Sequence, residues 1–233
     1  ILSDDDTYGH GTPVSGILAG GTRGLHKFTG IAPDAETLRA RVRDAAAYPI
    51  LKLKLGSSWD REVLRIVREE APHAILRVDA NAAWTPKQAL AMLQPLTDVG
   101  VDMLEQPLAP HDIEGLRFVR ERSPIPVIAD ESCVVATDIP KLVGAVDGIN
   151  IKLDKCGGLT EALKMSNEAL AHGLQLMVGN MCGTSLGMAP GFLVGQRCGY
   201  VDLDGPLLQA RDRDHAFVFT DGVMQPPSPA LWG

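Results

Sequence analysis

Several features are missing from this sequence of 233 residues, and each absence excludes a class of protein. Basic residues form no cluster and the net charge is −7, so nucleic acid and anionic membranes are poor partners. The chain has no run of ~20 apolar residues and does not open with a signal peptide, so we expect neither a membrane span nor secretion. The four cysteines lack both a Cys-x-x-Cys pair and framework spacing, which indicates reduced thiols in a cytoplasmic protein.

The 45% of apolar residues is enough for one sizeable core, and the chain has a regular rhythm from about residue 48. Short β-rich runs alternate there with amphipathic helical patterns, which favours parallel strand pairing. The predicted strands are Ile50–Leu55, Ile75–Asp79, Val101–Glu105, Pro126–Asp130, Gly148–Leu153, Leu174–Val178 and Tyr200–Leu203. The predicted helices between them are Asp60–Glu70, Pro86–Leu96, Ile113–Arg122 and Leu159–His172.

A candidate first strand at Lys27–Ile31 brings the number of predicted strands to about eight. Eight strand–helix units that close on themselves form a TIM-like (β/α)8-type barrel. An open, doubly wound sheet is the alternative, but no glycine-rich fingerprint follows the first strand. We therefore predict an α/β barrel.

Charged residues recur at or near the carboxyl ends of five consecutive predicted strands. At spacings of 25, 26, 25 and 22 residues, they are Lys54, Asp79, Glu105, Asp130 and Lys152. In a barrel these strand ends converge on the face where active sites are built. A solvent-exposed charge at the rim of the barrel would explain one such residue. Burying five charged side chains in register is energetically unfavourable unless they pair with one another or bind a metal.

The three acids in this series, Asp79, Glu105 and Asp130, are hard oxygen donors. Ligation by oxygen alone favours magnesium or manganese over zinc, and magnesium keeps positions for water and substrate. The alternative is three carboxylates that pair with the flanking lysines. Because converging acids without a cation would repel one another, we predict a Mg²⁺ site.

The lysines of the series are candidate acids and bases. The period of two in a strand points Lys52 and Lys54 to the same inward side, and Lys152 comes from a strand roughly across the barrel. Two bases that face one α-carbon from opposite sides can remove a proton and return it to the other face. A divalent cation would stabilise the charge that develops on an adjacent carboxylate. A lysine that extends to the surface is the alternative for any one position.

The motifs around these residues resemble, in the same order, those of the enolase superfamily, muconate-cycloisomerase-like branch. They are Lys52-Leu53-Lys54, Asp79-Ala80-Asn81, Glu105-Gln106-Pro107, Ala129-Asp130-Glu131-Ser132 and Ile151-Lys152-Leu153 with Gly157-Gly158. The resemblance covers roughly residues 36–233. It implies a modified (β/α)7β barrel with Mg²⁺ on the three acids. It also implies that Lys54 and Lys152 are the acid/base pair and that Lys52 helps to stabilise the enolate.

A further motif, Asp202-Leu203-Asp204, resembles the Asp-x-Asp of dipeptide epimerases, which binds the free α-ammonium group of the substrate. Two carboxylates on one strand face suit a cationic amine, and a solvent-facing acidic turn is the alternative. Asn180 follows the predicted strand Leu174–Val178, which is the seventh when Lys27–Ile31 is counted as the first. The family places further substrate-binding residues after this strand. The resemblance therefore implies an isomerase that epimerises a small-molecule dipeptide at the carbon α to its carboxylate. Whether the chain forms a homo-oligomer stays open.

The amino-terminal part of the chain departs from this family, whose members begin with a capping domain that we expect to be lacking here. Instead, the residues around His10 resemble the histidine motif of subtilisin-type serine proteases, over residues 4–35. We therefore expect a foreign or disordered segment at residues 1–26 and the barrel domain at residues 27–233.

Three other functions stay open. A cycloisomerase or lyase of the same branch would use the same site. A serine hydrolase would use His10 as its base and Ser185 as its nucleophile, although no strand that could carry the orienting aspartate precedes His10. An inactive barrel fragment is the third alternative.

Overall fold

The computed structural model describes residues 35–220 and 223–232 of the chain, which divide into two compact α/β units. The first unit covers residues 35–127 and the second residues 128–232. The predicted first strand Lys27–Ile31, the predicted foreign segment at residues 1–26 and the candidate base His10 lie outside the described residues.

The first unit alternates helices with parallel strands. Its elements are α1 (Ala35–Ala45), β1 (Ile50–Lys54), α2 (Asp60–Glu70), β2 (Ile75–Asp79), α3 (Pro86–Asp98), β3 (Val101–Glu105) and α4 (Ile113–Arg120). β1 pairs with β2 and β2 with β3, in both cases in parallel. A helix therefore connects each strand to the next, as parallel pairing requires.

Local sequence determines where these helices begin and what the strands bury. At the start of α3, the Thr85 hydroxyl accepts a hydrogen bond from the Gln88 N–H, and the Gln88 side chain accepts one from the Thr85 N–H. This capping box satisfies two backbone donors, and Pro86 occupies the first helical position, where no intrahelical donor is needed. In the strands, Leu53 and Val78 are completely buried, as expected for a parallel sheet covered on both faces.

The second unit continues the alternation. Its strands, counting β4 with this unit, are β4 (Val127–Ala129), β5 (Gly148–Lys152), β6 (Gln175–Gly179), β7 (Tyr200–Val201), β8 (Phe219–Thr220) and β9 (Val223–Met224). Its helices are α5 (Ile139–Leu142), α6 (Leu153–Cys156), α7 (Leu159–Ala171) and α8 (Ser185–Gly195), with 3₁₀ turns at Ala136–Asp138 and Gly205–Leu208. β4, β5, β6 and β7 pair in that order and in parallel, whereas β8 and β9 form a separate antiparallel pair.

The described elements confirm the predicted α/β class with parallel strands, three in the first unit and four in the second. Within the described residues, each predicted strand or helix ends within two residues of its observed end. The largest strand difference is at β7, which was predicted to reach Leu203 and ends at Val201. Beyond that end, the Asp202 N–H still donates a hydrogen bond to the Val178 carbonyl oxygen at 2.9 Å. Among the helices of the described ranges, none combines the length and apolar character that crossing a membrane requires.

Candidate active site

The last residues of β1, β2 and β3 in the first unit carry charged side chains and are register partners of one another. Strand register places Lys54 beside Asp79 and Asp79 beside Glu105. All three residues are buried, and neither Asp79 nor Glu105 is accessible to solvent. Burial of a carboxylate is unfavourable unless positive charge or hydrogen-bond donors surround it.

Lysines of β1 provide that positive charge. Lys54 Nζ donates a hydrogen bond of 2.5 Å to Asp79 Oδ2. Lys52 Nζ lies 2.7 Å from Glu105 Oε2 and 3.5 Å from Asp79 Oδ2. Because both lysines contact the same carboxylate, they lie on one side of β1, as the period of two predicts.

A matching contact occurs in the second unit, where Asp130 follows β4 and Lys152 ends β5. Lys152 Nζ donates a hydrogen bond of 2.5 Å to Asp130 Oδ2, and both residues are buried. Lys155 donates to the other carboxylate oxygen, Oδ1, at 2.5 Å and to the Asp130 carbonyl oxygen at 2.6 Å. Lys155 also contacts the carbonyl oxygens of Cys133 and Asn150, at 3.0 and 3.2 Å. Asp130 is thus held between two ammonium groups.

Sequence reasoning did not single out Lys155. The available signal was its position in the short helix α6, three residues after Lys152. A lysine at this spacing can reach back to the strand ends, but so can many lysines that merely cover a surface.

The residue beside Lys152 in the sheet has no side chain. Register pairs Lys152 of β5 with Gly179 of β6. A Cβ atom at Gly179 would lie 3.0 Å from Lys152 Cε and 2.7 Å from Asn150 Nδ2. Any larger residue would therefore displace the side chains of β5.

The Asp202-Leu203-Asp204 motif follows β7, and both aspartates are partly exposed while Leu203 is buried. Asn180, which is also buried, contacts the backbone of this motif. Its Nδ2 donates a 2.7 Å hydrogen bond to the Asp202 carbonyl oxygen, and its Oδ1 accepts one of 2.9 Å from the Gly205 N–H. The structure therefore brings the three predicted substrate-binding residues of the second unit together.

Ser185 is the first residue of α8, and its surroundings do not resemble those of a serine nucleophile. Its hydroxyl is completely buried, donates a 2.5 Å hydrogen bond to Asp212 Oδ2 and accepts one of 2.9 Å from the Phe217 N–H. The Ser185 N–H donates to Asp212 Oδ1 at 2.9 Å. Ser185 therefore attaches the segment around Asp212 to the start of α8, and its hydroxyl is not presented to a substrate.

These contacts also determine the charge state of Asp212. Partial burial raises the pKa of its carboxyl group, but hydrogen bonds from the Ser185 hydroxyl, the Ser185 N–H and the Arg213 N–H together lower it by more. The net effect is a lowered pKa, so the ionised form is stabilised in the folded chain.

The loop that follows Lys54 is held by Asp60, the first residue of α2. The buried Asp60 carboxylate accepts hydrogen bonds from the N–H groups of Gly56, at 2.9 Å, and Ser57, at 2.8 Å. The indole N–H of Trp84 donates to the same carboxylate at 3.0 Å. Sequence reasoning did not identify this arrangement, which fixes the loop directly after a candidate base.

All four cysteines lie within the described residues and are free thiols. Burial raises the pKa of both the Cys133 and the Cys198 thiol to about 12. Neither group would therefore ionise near neutral pH to act as a nucleophile.

The donor chemistry at these strand ends suits a hard divalent cation. Asp79, Glu105 and Asp130 offer carboxylate oxygens, which such cations prefer as ligands. All three carboxylates are buried, so each requires positive charge nearby to stabilise its ionised form. Lysine ammonium groups supply such charge at all three, which also agrees with the alternative of paired charges.

A family model described as enolase C-terminal domain-like matches residues 34–230. The chain belongs to this family. The match confirms the enolase-superfamily resemblance seen in the sequence, whereas the subtilisin-like motif at residues 4–35 stays a prediction.

Three similar proteins illustrate the range of this enolase-type family. An N-acetyl-D-glutamate racemase of a Pseudoalteromonas species is 41% identical over 79% of this chain and 58% of its own length. An enolase family member from Agrobacterium tumefaciens with homology to dipeptide epimerases, solved with sodium and L-Ala-L-Glu, is 42% identical with a TM-score of 0.81. A dipeptide epimerase from Enterococcus faecalis, solved with Mg and L-Leu-L-Tyr, is 32% identical with a TM-score of 0.74.

The enolase-type chain is shorter than the proteins it matches. The alignments cover 86% of it and 61% of the Agrobacterium protein, and 83% of it and 57% of the Enterococcus protein. The chain therefore spans somewhat more than half the length of each of these relatives.

Proposed function

We propose that this chain is a Mg²⁺-dependent epimerase that moves a proton on the carbon α to the carboxylate of a dipeptide. The observation that carries this proposal is a matched pair of contacts, Lys54 with Asp79 in the first unit and Lys152 with Asp130 in the second. Each contact holds a potential proton carrier against a predicted metal ligand at the end of a parallel strand. A 1,1-proton transfer needs two such carriers next to the groups that bind the substrate carboxylate.

The lysines would divide the chemistry between them. One of Lys54 and Lys152 would take the α-proton, and the other would deliver a proton to the opposite face of the same carbon. Lys52, which lies 2.7 Å from Glu105, would add positive charge where the substrate carboxylate becomes more negative.

Asp79, Glu105 and Asp130 would hold the Mg²⁺. When bound, this ion would stabilise the negative charge that develops on the substrate carboxylate during proton abstraction. The all-oxygen donor set and the Enterococcus relative solved with Mg support this assignment.

Asp202 and Asp204 would bind the free ammonium group of the dipeptide, because paired carboxylates suit a cationic amine. The dipeptides solved with the Agrobacterium and Enterococcus proteins support this substrate class. A racemase of N-acylated amino acids is the second candidate, since a 41% identical relative has such a name. An N-acylated substrate has no free ammonium group, so Asp202 and Asp204 favour the dipeptide.

We further propose that residues 27–233 form a closed (β/α)7β barrel. The TM-score of 0.81 to the Agrobacterium protein and the parallel strands of both units support this architecture. The four free thiols favour a reducing compartment such as the cytoplasm. Sedimentation velocity would distinguish a monomer from a homo-oligomer.

The proposed function is tested by NMR in D₂O, with the full chain, Mg²⁺ and L-Ala-L-Glu. We expect the α-proton signal of the glutamate residue to disappear as the D-epimer forms, and chelation of the metal with EDTA to stop the reaction. N-acetyl-L-glutamate in a parallel sample tests the second candidate. Exchange with neither compound, under conditions in which the chain is folded, would reject both functions.

The ammonium contact is tested separately with Asp204→Ala. We expect KM for the free dipeptide to rise at least about tenfold, because a charge-assisted hydrogen bond is lost, while N-acetylated dipeptides are nearly unaffected. Asp214→Ala, at an exposed position, is the matched control. Equal losses with both substrates would remove the ammonium contact from the proposal.

A further inference from the structure

The short segment from Asp202 to Gly205 joins β7 to the following 3₁₀ turn, and one side chain contacts it at both ends. The Nδ2 atom of Asn180 donates a hydrogen bond to the Asp202 carbonyl oxygen at 2.7 Å. The Oδ1 atom of the same amide accepts a hydrogen bond from the Gly205 N–H at 2.9 Å. The two contacts lie on either side of Asp204.

The fit around this amide is tight. Asn180 is only 5% exposed, and Gly205 is buried. A Cβ atom at Gly205 would lie 2.2 Å from Asn180 Oδ1 and 3.1 Å from the Met181 carbonyl oxygen. The backbone of the segment can therefore approach the amide this closely because residue 205 has no side chain.

Two further contacts hold the segment in place. The Asp202 N–H donates to the Val178 carbonyl oxygen at 2.9 Å, which ties the segment to β6. Leu203 is buried, and its Cδ2 atom lies 3.2 Å from the position that a Cβ would take at Gly191. Leu203 is buried, whereas its two sequence neighbours, Asp202 and Asp204, are partly exposed. The directions of the two carboxylates therefore depend on the conformation of the backbone of this segment.

We propose that Asn180 is a positioning residue, which fixes the Asp202–Gly205 backbone so that the carboxylates of Asp202 and Asp204 converge on a substrate ammonium group. This inference rests on the proposed epimerase function and replaces the earlier expectation that Asn180 binds the substrate directly. A primary amide suits this role because it offers a donor to the carbonyl group and an acceptor to the N–H group. An aspartate side chain would keep the acceptor but, when ionised, would face the Asp202 carbonyl oxygen without a donor.

The test compares Asn180→Asp and Asn180→Ala with Asn167→Asp, which makes the same chemical change at an exposed asparagine of α7. The first measurement is hydrogen exchange at the Gly205 amide, which requires no activity. We expect exchange to be faster in Asn180→Ala, where the acceptor is lost, and to change less in Asn180→Asp. In Asn167→Asp it should be unchanged.

The second measurement separates KM from kcat with L-Ala-L-Glu and with an N-acetylated dipeptide. For both Asn180 variants we expect KM for the free dipeptide to rise about tenfold, since a buried backbone group loses its partner, with kcat changed less than about twofold. With the N-acetylated compound, both constants should stay near those of the unsubstituted chain. A fall in kcat with equal losses for both compounds, or an unchanged Gly205 amide with unchanged KM, would overturn the positioning role.

Failure of the proposed function would be recognised independently. If the unsubstituted chain exchanges no α-proton of L-Ala-L-Glu, the epimerase assignment fails, and the positioning role fails with it. If the unsubstituted chain is active and the Asn180 variants behave like Asn167→Asp, only the inference about Asn180 is wrong.

Discussion

Gly179 and Lys152 lie side by side in neighbouring strands, and the absence of a side chain at one makes room for the other. A Cβ atom at Gly179 would stand 3.0 Å from Lys152 Cε, closer than side chains normally pack. The same atom would lie 2.7 Å from Asn150 Nδ2, so two side chains of β5 would have to move. The position of a proposed catalytic lysine thus depends on a residue that itself has no functional group.

We therefore predict that Gly179→Ala lowers the rate of α-proton exchange at least about tenfold and the free energy of unfolding by about 1–3 kcal/mol, through overpacking. Exchange is measured by NMR in D₂O and stability by urea unfolding. Gly187→Ala in α8 is the matched control, because a Cβ there would meet no atom within 4 Å apart from the backbone of its own helix and its chain neighbours. If the Gly179 and Gly187 variants react equally fast, Lys152 does not depend on Gly179.

Replacement of either proposed base should stop epimerisation. Lys54→Ala and Lys152→Ala each remove the proton carrier for one face of the α-carbon, so neither variant should interconvert the epimers. Both should still fold, because Asp79 keeps Lys52 at 3.5 Å and Asp130 keeps Lys155 at 2.5 Å, which circular dichroism can check. Lys164→Ala, at an exposed lysine of α7, is the control. Epimerisation by the unsubstituted chain without any uptake of solvent deuterium would contradict the two-base assignment.

The metal assignment is tested by titration, without reference to activity. Asp79→Asn, Glu105→Gln and Asp130→Asn should each weaken Mg²⁺ binding in isothermal titration calorimetry. They should also reduce the stabilisation that Mg²⁺ provides, which for a one-site ligand at a hundredfold excess over Kd is ~2.7 kcal/mol. Asp98→Asn, at an exposed aspartate of α3, should titrate like the unsubstituted chain. Three unchanged titrations would instead favour the alternative in which these acids only pair with lysines.

The contact between Ser185 and Asp212 should make stability depend on pH. Because the pKa of Asp212 is lower in the folded chain than in the unfolded chain, its ionised form stabilises the fold above the unfolded pKa. This contribution should be lost as the pH falls through the lowered folded pKa. Asp212→Asn should therefore reduce the free energy of unfolding by about 1 kcal/mol at pH 7, and the difference should shrink in acid.

A serine-directed phosphonate probe provides a second check on Ser185. Because its hydroxyl is buried and already bonded to Asp212 and Phe217, we expect no labelling of the native chain. Covalent modification of Ser185, or an equal stability difference at all pH values in the Asp212 comparison, would contradict this account.

The sequence allowed prediction of those parts of the fold that depend on periodicity. Strands such as Ile75–Asp79 are short, apolar and end in a charged residue, and the structure places them as predicted. Period two also placed Lys52 and Lys54 on the same side of β1, as their shared contact with Asp79 confirms. Such patterns can be read from the sequence because the side of a strand on which a residue lies depends only on its position relative to neighbouring residues.

Contacts between distant residues could not be predicted in the same way. The contact of Lys155 with Asp130 spans 25 residues, and that of Asn180 with Gly205 spans the same number. Nothing in the local pattern shows that the Asn180 amide bonds to backbone groups rather than to a substrate. Such assignments depend on loop geometry, which becomes defined only when the strands on either side are in place.

The hydrogen bond between Trp84 and Asp60 gives the protein a built-in optical reporter. The chain has three tryptophans, and Trp84 is 6% exposed whereas Trp59 is 44% exposed. Since Asp60 also binds the backbone of Gly56 and Ser57, any rearrangement of the loop after Lys54 changes the polarity around the Trp84 indole. With Trp59 and Trp232 replaced by phenylalanine, the fluorescence of Trp84 would therefore report motion of the loop beside a proposed base.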